Sequence, residues 1–176
     1  NPVNNAPLCR CAQPLTGMTG THSSADRAML TAIKASVGQN SKVLQIFDCR
    51  PWKNAKSNAL IGKGTENTKD LGGKTVVNLQ YLDIGNIHVQ RASWQSLFGA
   101  CKRSMEKATT NFYSNIGQSG WLMNVQSIIV GADKVAEALN DGFPCIVHCS
   151  DGWDRTSQVS ATAQLLLDPY YRTIRG

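Results

Sequence analysis

The chain has 176 residues, a length that suits one domain with a sizeable core, and 41% of its residues are hydrophobic. Its formal net charge of +6 favours acidic partners such as phosphates, anionic lipids or nucleic acids. No apolar run is long enough to cross a bilayer, and the sequence opens on Asn1 without a signal peptide. We therefore expect a fragment of a longer protein that carries no membrane-spanning helix.

The first half of the chain predicts a helix, a strand and two irregular stretches. Residues 1–23 are rich in Asn, Pro, Gly and Thr and predict irregular structure. A helix is expected next, with Ser24 as its N-cap and apolar residues at helical spacing as far as Val37. KVLQIFD (42–48) predicts a buried strand. Residues 49–73 contain four glycines and predict a loop of a length that is uncommon unless the loop is functional or mobile.

The second half alternates strands with amphipathic helices. The predicted elements are a strand at 75–84, a turn at GNIHV (85–89), a helix from Trp94 to Met105, a helix from Trp121 to Leu139, a buried strand at FPCIVHC (143–149) and a helix at 155–167. Strands that alternate with helices in this way predict an α/β fold, with a central, mainly parallel sheet flanked by helices.

The nine residues HCSDGWDRT (148–156) lie between the last predicted strand and helix. Cys149 ends the strand, and Arg155 opens the helix six positions later, after a loop that contains Gly152. Backbone N–H groups of such a loop, together with the positive end of a helix, can cradle a phosphate, and arginine offers it a planar pair of donors. The same positive field favours the thiolate form of Cys149, which is the nucleophilic form. The alternative is a buried cysteine and a surface arginine without a shared role.

Two neighbours of this cluster allow both a chemical and a structural interpretation. His148 directly precedes the cysteine and could stabilise the thiolate by a hydrogen bond, but a buried histidine that simply has its polar partners is the commoner case. Thr156 could assist the sulfur as a leaving group, or it could cap the helix, as threonine often does.

The six cysteines and the charge distribution bear on compartment and partners. Cys9 and Cys11 have no second pair at zinc-site spacing, and we expect mostly reduced cysteines in a cytosolic protein.

From Arg50 to Lys74 there are six basic residues against two acidic ones, which suits either a solvated loop or an anionic surface. No zinc-finger, RRM or basic-helix pattern is present, so no nucleic-acid partner is expected.

HCSDGWDRT also resembles the active-site loop of the myotubularin family of phosphoinositide 3-phosphatases. Four further stretches are similar to family sequences and follow in the family's order: RCAQPLTG (10–17), FDCRPWKNAKSNALIGKGTE (47–66), LDIGNIHVQRAS (82–93) and LLLDPYYRTIRG (165–176). The resemblance therefore extends over nearly the whole chain. It implies a protein-tyrosine-phosphatase-like fold that removes the 3-phosphate from phosphatidylinositol 3-phosphate and phosphatidylinositol 3,5-bisphosphate, in a cytoplasmic protein that is peripheral on endosomal-type membranes.

The resemblance also implies roles for individual residues. Cys149 would be the nucleophile and Arg155 would clamp the phosphate, within a cradle formed by Ser150, Asp151, Gly152, Trp153 and Asp154. Asn58, Asn86 and Ile87 match positions that line the phosphoinositide site, although asparagine is common in turns without any such role. Asp48 matches an aspartate that the family needs for activity.

The sequence departs from the family pattern in a few places. Cys49 stands where alanine is usual, Lys63 interrupts the glycine run, and Thr65 replaces a common aromatic residue. We expect residues 1–176 to be part of a catalytic domain, without the family's N-terminal lipid-binding domain and without the C-terminal part. The oligomeric state cannot be predicted from the sequence.

The general acid has three candidates from the residues themselves: Asp154, Asp151 and Asp48. An inositol alkoxide needs a proton as it leaves, and the loop chemistry together with the resemblance favours Asp154. Asp48 could instead orient Arg155 or a loop amide. No metal or organic cofactor is expected, because the loop and Arg155 supply the charge stabilisation. The rival functions are a dual-specificity protein phosphatase and an adaptor that binds phosphoinositide without turnover.

Overall fold

The computed structural model describes residues 1–16, 23–38, 42–59, 64–69, 71–106 and 111–176. Within these residues it has the predicted α/β fold, with four parallel strands in one sheet flanked by helices. The strands are β1 (Leu8–Cys11), β2 (Leu44–Asp48), β3 (Val77–Tyr81) and β4 (Cys145–His148), in the order β1-β4-β2-β3. The helices are α1 (Ser24–Ala35), α2 (Trp52–Ala59), α3 (Ile87–Glu106), α4 (Phe112–Gln118), α5 (Trp121–Asn140) and α6 (Arg155–Leu167), followed by a 3-10 turn at Pro169–Arg172.

The central strands bury both of their faces, and alternate residues enter two separate cores. Phe47 of β2 and Val147 of β4 belong to the larger core, with buried residues of α5 and α6. Ile46 and Ile146, the intervening residues, belong to a smaller core beside α1. Continuous apolar runs are typical of strands in the interior of a parallel sheet, which is why 42–48 and 143–149 could be identified from sequence.

The irregular structure predicted for residues 1–23 is wrong for the edge strand β1. LCRC has no long apolar run, and the strand is held by parallel pairing with β4, in which Leu8 faces Cys145 and Cys11 faces His148. The N-cap of α1 is Ser23 rather than Ser24, since the Ser23 hydroxyl accepts from the backbone N–H of Asp26 at 3.1 Å.

Three helical segments differ from the prediction. The expected loop at 49–73 contains α2, in which Ala55 is buried while most neighbours are exposed, so that the apolar periodicity is weak. The expected turn at GNIHV is instead the start of α3: the Asn86 side chain accepts from the backbone N–H groups of His88 and Val89, both at 3.1 Å. The short helix α4 was not predicted, and none of its residues is buried.

No helix in the described part of the chain is both long and apolar enough to cross a membrane.

All four strands run parallel, so their carboxyl ends meet at one edge of the sheet. The segments that follow β1, β2, β3 and β4 therefore converge there, which is where parallel α/β sheets bind their ligands.

Candidate active site

The loop between β4 and α6 is held in a tight, inward conformation by β1 and the segment after it. Gln13 N–H donates to the Ser150 carbonyl at 3.1 Å, and the Arg10 guanidinium donates to the Gly152 carbonyl at 2.8 Å. Gly152 has φ of +85°, and a Cβ at this position would lie 2.6 Å from the Cys11 carbonyl oxygen. Only glycine fits this turn without displacing the backbone, because the dihedral angle and the space both exclude a side chain.

The Cys149 sulfur lies beneath the donors of this loop. The Gly152 N–H points at Sγ over 3.3 Å. Burial by itself would raise the pKa of Cys149, but the Thr156 hydroxyl and the N–H groups of Thr156, Gly152 and Asp151 hold the pKa below its ordinary value. The thiolate is the nucleophilic form, so this environment favours the reactive form of the sulfur.

Arg155 begins α6 and is 7% exposed. One terminal nitrogen donates to the Ile84 carbonyl at 3.5 Å, and the other donates to the Ser150 hydroxyl at 3.2 Å. Its Nε is buried and has no hydrogen-bond partner among the described residues. A buried cationic donor without a partner is costly. An oxyanion held by the loop would supply that missing partner.

His148 forms an ion pair that sequence analysis did not predict. Its Nε2 lies 3.2 Å from the Glu66 carboxylate, and its Nδ1 lies 3.2 Å from the carbonyl oxygen of Cys149. Burial alone would lower the pKa of His148, but Glu66 raises it to about 8. The charge of His148 in turn keeps the pKa of Glu66 below its ordinary value. The imidazolium thus links the segment of residues 64–69 to the backbone of Cys149, and no contact of the imidazole ring with the Cys149 sulfur is observed in the described residues.

Asp48 forms a buried ion pair with Arg50, and its expected role in orienting Arg155 or a loop amide stays a prediction. The two side chains are fully buried, and Arg50 Nη2 lies 2.6 Å from Asp48 Oδ2. Arg50 also donates to Gln13 and to the Gly64 carbonyl. This network ties the ends of β1 and β2 together. It also removes Arg50 from the basic surface expected at 50–74, because its side chain is wholly buried.

The remaining acidic and aromatic residues of the loop face outward to different degrees. Asp151 is exposed, Trp153 is 69% exposed, and Asp154 is partly buried at the N-cap position of α6. The Asp154 carboxylate does not hydrogen-bond the helix that it precedes. Thr156 is buried in the first turn of α6, two residues after the N-cap position at Asp154, and a role for its hydroxyl at the sulfur stays a prediction.

The predicted phosphoinositide contacts lie at the same edge of the sheet. Asn86 and Ile87 follow β3, two and three residues after Ile84, whose carbonyl contacts Arg155. Asn86 caps α3 and is partly buried, while Ile87 is exposed. Asn58 lies in α2, after β2, but its side chain lies outside the described part of the structure, as does Lys63. A role for these residues in substrate binding stays a prediction.

Arg10 and Glu66 are site residues that sequence reasoning did not identify. Arg10 belongs to an edge strand that was predicted to be irregular, and Glu66 was counted only as an acidic residue within a basic stretch. Both lie more than 80 positions from Cys149 in the sequence, so that only tertiary contacts reveal them. Among the described residues, no group of three or more His, Cys, Asp or Glu side chains could hold a metal ion.

A buried cysteine of lowered pKa, an inward loop and an arginine six residues later define a site of the Cys-x5-Arg phosphatase class. Comparison with protein families is specific: the family model of the myotubularin-like phosphatase domain matches residues 1–176. The chain therefore belongs to the myotubularin-like phosphatase family, which confirms the resemblance seen in its sequence.

Individual relatives agree with this assignment. A Caenorhabditis elegans protein named phosphatidylinositol-3,5-bisphosphate 3-phosphatase MTMR6 is 44% identical over 171 residues, which are 97% of this chain and 24% of the relative. Myotubularin of Xenopus laevis is 40% identical, over 100% of this chain and 28% of its own length. A mouse protein named phosphatidylinositol-3-phosphate phosphatase MTMR7 is 39% identical, over 98% of this chain and 26% of its own length. The chain thus spans about a quarter of the length of these relatives.

Proposed function

We propose that this chain is the catalytic core of a cysteine-dependent phosphatase that removes the 3-phosphate from phosphatidylinositol 3-phosphate and phosphatidylinositol 3,5-bisphosphate. The observation that carries the proposal is the Cys149 sulfur of lowered pKa beneath the Gly152 N–H, in a loop that is followed by Arg155, whose buried Nε has no partner in the described residues. The substrate class rests on the names of the relatives.

The arrangement supports a two-step reaction. The Cys149 thiolate attacks phosphorus, the P–O bond to the inositol breaks, and a phosphocysteine forms. Loop N–H groups and Arg155 bind the equatorial oxygens more strongly as negative charge shifts onto them. Asp154 gives a proton to the departing inositol oxygen and then takes one from the water that hydrolyses phosphocysteine. Apart from the substrate and the hydrolytic water, every group named here belongs to the chain, and no step requires an added cofactor.

The carboxyl edge of the sheet suits an anionic membrane surface. Lys53 and Lys56 are exposed on α2, and the Lys56 ammonium lies 5.7 Å from the ring centre of Trp52, which is itself exposed. Two exposed apolar side chains lie at the same edge: Ile87 begins α3, and Trp153 precedes α6. Basic residues beside exposed aromatic and aliphatic side chains favour an interfacial position. The proposed location is cytoplasmic and peripheral, on endosomal-type membranes that contain 3-phosphoinositides.

A phosphate-release assay tests the proposed activity. The panel contains short-chain phosphoinositides phosphorylated at the 3, 4 or 5 position and a phosphotyrosine peptide, with Cys149→Ser as the control for contaminating phosphatases. The proposal expects release from the two 3-phosphoinositides, and little from the others. Preference for the peptide would instead identify a dual-specificity protein phosphatase. Binding without release would identify an adaptor, or a chain that needs the rest of its protein for turnover, and either result would overturn the proposal as stated.

A vesicle assay tests the proposed surface separately. Each basic residue near an anionic surface contributes about 1 kcal/mol, so Lys53→Glu and Lys56→Glu should each weaken vesicle binding at least about fivefold. Lys134→Glu on α5 is the matched control, because this exposed lysine lies in the half of α5 that leads to the opposite edge of the sheet. Hydrolysis of a short-chain soluble lipid should change little in all three variants. Equal losses on vesicles and soluble lipid would place the two lysines in the pocket or in folding.

A further inference from the structure

Cys49 lies beside the nucleophile, at the carboxyl end of the neighbouring strand. Parallel pairing of β2 with β4 places Asp48 opposite His148, and the next residues along the two strands are Cys49 and Cys149. The strands are still joined at this point, because the Cys49 N–H donates to the His148 carbonyl at 2.8 Å. Neighbouring strands lie about 4.8 Å apart, which is within the roughly 4.4–6.8 Å between Cα atoms that a disulfide spans.

The two thiols also leave the sheet on the same face. Cys49 and Cys149 both belong to the larger core, together with Phe47 and Val147 two positions before them. Alternation along the two strands places both side chains on the face that carries Phe47 and Val147. The pair therefore has the spacing and the orientation that a disulfide needs.

The other cysteines are less well placed to reach Cys149. Cys11 follows the same edge of the sheet, but it pairs with His148, whose ring lies on the opposite face from the Cys149 sulfur. Cys9 lies two residues farther from that edge, beside the smaller core. Cys145 lies four residues before Cys149 at the other end of β4, and Cys101 lies on α3. All six cysteines are free thiols in this structure.

The charge states of the pair differ in a way that suits sequential oxidation. Cys149 has a lowered pKa, so its thiolate is the better nucleophile of the two toward a peroxide. Burial, and then the negative charge of Cys149, raise the pKa of Cys49, which stays a neutral thiol in the resting protein. Oxidation of Cys149 to the uncharged sulfenic acid removes the negative charge of Cys149. The pKa of Cys49 then falls, which makes Cys49 a better nucleophile.

We propose that Cys49 is a resolving cysteine, which condenses with peroxide-oxidised Cys149 to form a reversible Cys49–Cys149 disulfide. The Cys149 thiolate first attacks hydrogen peroxide, breaks its O–O bond, and gives sulfenic acid and hydroxide. Cys49 sulfur then attacks Cys149 sulfur, the S–OH bond breaks, and the Cys49 proton leaves with the hydroxyl group as water. Two equivalents of a small thiol restore both cysteines, so the disulfide protects Cys149 from irreversible sulfinic acid.

The decisive measurement is the linked peptide. The chain is treated with graded hydrogen peroxide, free thiols are blocked with N-ethylmaleimide, and tryptic peptides are analysed without reduction. Cys49 lies in peptide 43–53, and Cys149 lies in peptide 135–155 together with Cys145, so fragment spectra must assign the linked sulfur. We expect Cys49 linked to Cys149. Absence of that link, or a link from Cys149 to Cys11, would overturn the proposal.

Recovery of activity gives a second test, which rests on the proposed phosphatase function. After peroxide and then dithiothreitol, the unchanged chain should regain most of its activity, while Cys49→Ala should regain several-fold less because its Cys149 proceeds to sulfinic acid. Alanine is the usual residue here in the resembled family, and the matched control Cys11→Ala should recover as the unchanged chain does. Equal recovery in Cys49→Ala would contradict the proposal. A chain that forms the disulfide yet hydrolyses no phosphoinositide would retain this proposal and remove the proposed function.

Discussion

The two faces of the sheet are covered very differently, and the reactive loop is built on the better-packed one. On one face, α6 buries Arg155, Thr156, Val159, Ser160 and Ala163 against α5 and the central strands. On the other face, α1 buries none of its residues, and a cavity of about 470 Å³ lies between α1, β1 and the residues Glu66, Asn67 and Leu71. A site that must hold donors in fixed positions benefits from a tightly packed support, whereas a sparsely packed face can open locally at low cost.

The sparsely packed face nevertheless contributes to the site through one buried ion pair. His148 points toward this face, and its imidazolium connects Glu66 to the carbonyl of Cys149. On the packed face, α6 supports the backbone of the reactive loop by burying its own first residues. On the sparsely packed face, Glu66 supports the same loop electrostatically through His148. The changes below separate the two contributions, and they start with the largest expected effect.

Replacing the nucleophile tests whether the packed face holds the loop in place without it. Cys149→Ser should lower turnover by at least about 10⁴-fold, because a serine at this position lacks the ionised, nucleophilic sulfur. The loop donors remain, so inorganic phosphate should still raise the melting temperature. Arg155→Lys should reduce that phosphate-dependent rise, because lysine cannot offer paired planar donors. Loss of the rise in Cys149→Ser would mean that the sulfur itself organises the loop.

A pair of glycine substitutions compares the two faces directly. Gly152→Ala should lower the free energy of unfolding by about 3 kcal/mol, since it combines a positive φ with a clash against the Cys11 carbonyl. Gly38, which follows α1, has a similar φ of +88°, but an added methyl group would meet nothing within 4 Å. Gly38→Ala should therefore lower the free energy of unfolding by only about 1 kcal/mol. Urea unfolding measures the free energy of unfolding of both variants and of the unchanged chain. Equal losses would show that the backbone angle alone, and not packing, determines the cost at residue 152.

Removing the proposed general acid tests the chemistry of the loop rather than its support. Asp154→Asn should slow hydrolysis of a 3-phosphoinositide by about 100-fold, because the inositol alkoxide needs a proton to leave. An aryl phosphate should be much less affected, since its phenolate leaves without one. Asp151→Asn, in an exposed residue of the same loop, is the comparison variant. Should the leaving-group dependence appear in Asp151→Asn instead, the acid is Asp151 and Asp154 is structural.

The His148–Glu66 pair predicts how stability depends on pH. The pKa of His148 is raised from 6.5 to about 8, so the pair contributes fully below pH 6.5 and is lost as the pH rises through 8. The pKa of Glu66 is lowered, so the contribution is present above pH 4.5 and is lost as the pH falls below that value. Near pH 6 the full His148 shift corresponds to about 2 kcal/mol, to which Asp48 and the Cys149 carbonyl contribute together with Glu66.

The variant Glu66→Gln measures this contribution. Its free energy of unfolding should differ from that of the unchanged chain most near pH 6, and the difference should shrink between pH 7 and 9. Asp26→Asn provides the control, because Asp26 is an exposed carboxylate on α1, beside the same cavity, and has no ion-pair partner among the described residues. A difference that stays constant with pH would mean that Glu66 does not interact with a charged His148.

The local sequence was sufficient for the reactive loop and for the elements that adjoin it. β2, β4, α5 and α6 were predicted because their burial leaves a strong pattern of apolar residues, and HCSDGWDRT contains Cys149, Gly152 and Arg155 within nine positions. The cysteine, the loop and the helix start are contiguous in the chain, so their spatial relation follows from the strand–loop–helix order. The family resemblance likewise depends on short, contiguous motifs.

The tertiary structure alone determined which distant residues complete the site. β1 and α2 carry weak apolar patterns, since an edge strand and an exposed helix bury few side chains, and their contributions were missed. The contacts of Arg10 with the loop, of Glu66 with His148 and of Cys49 with the Cys149 strand all join residues at least 80 positions apart. Such contacts depend on strand order and register, and these arise from the packing of the whole sheet rather than from any local pattern.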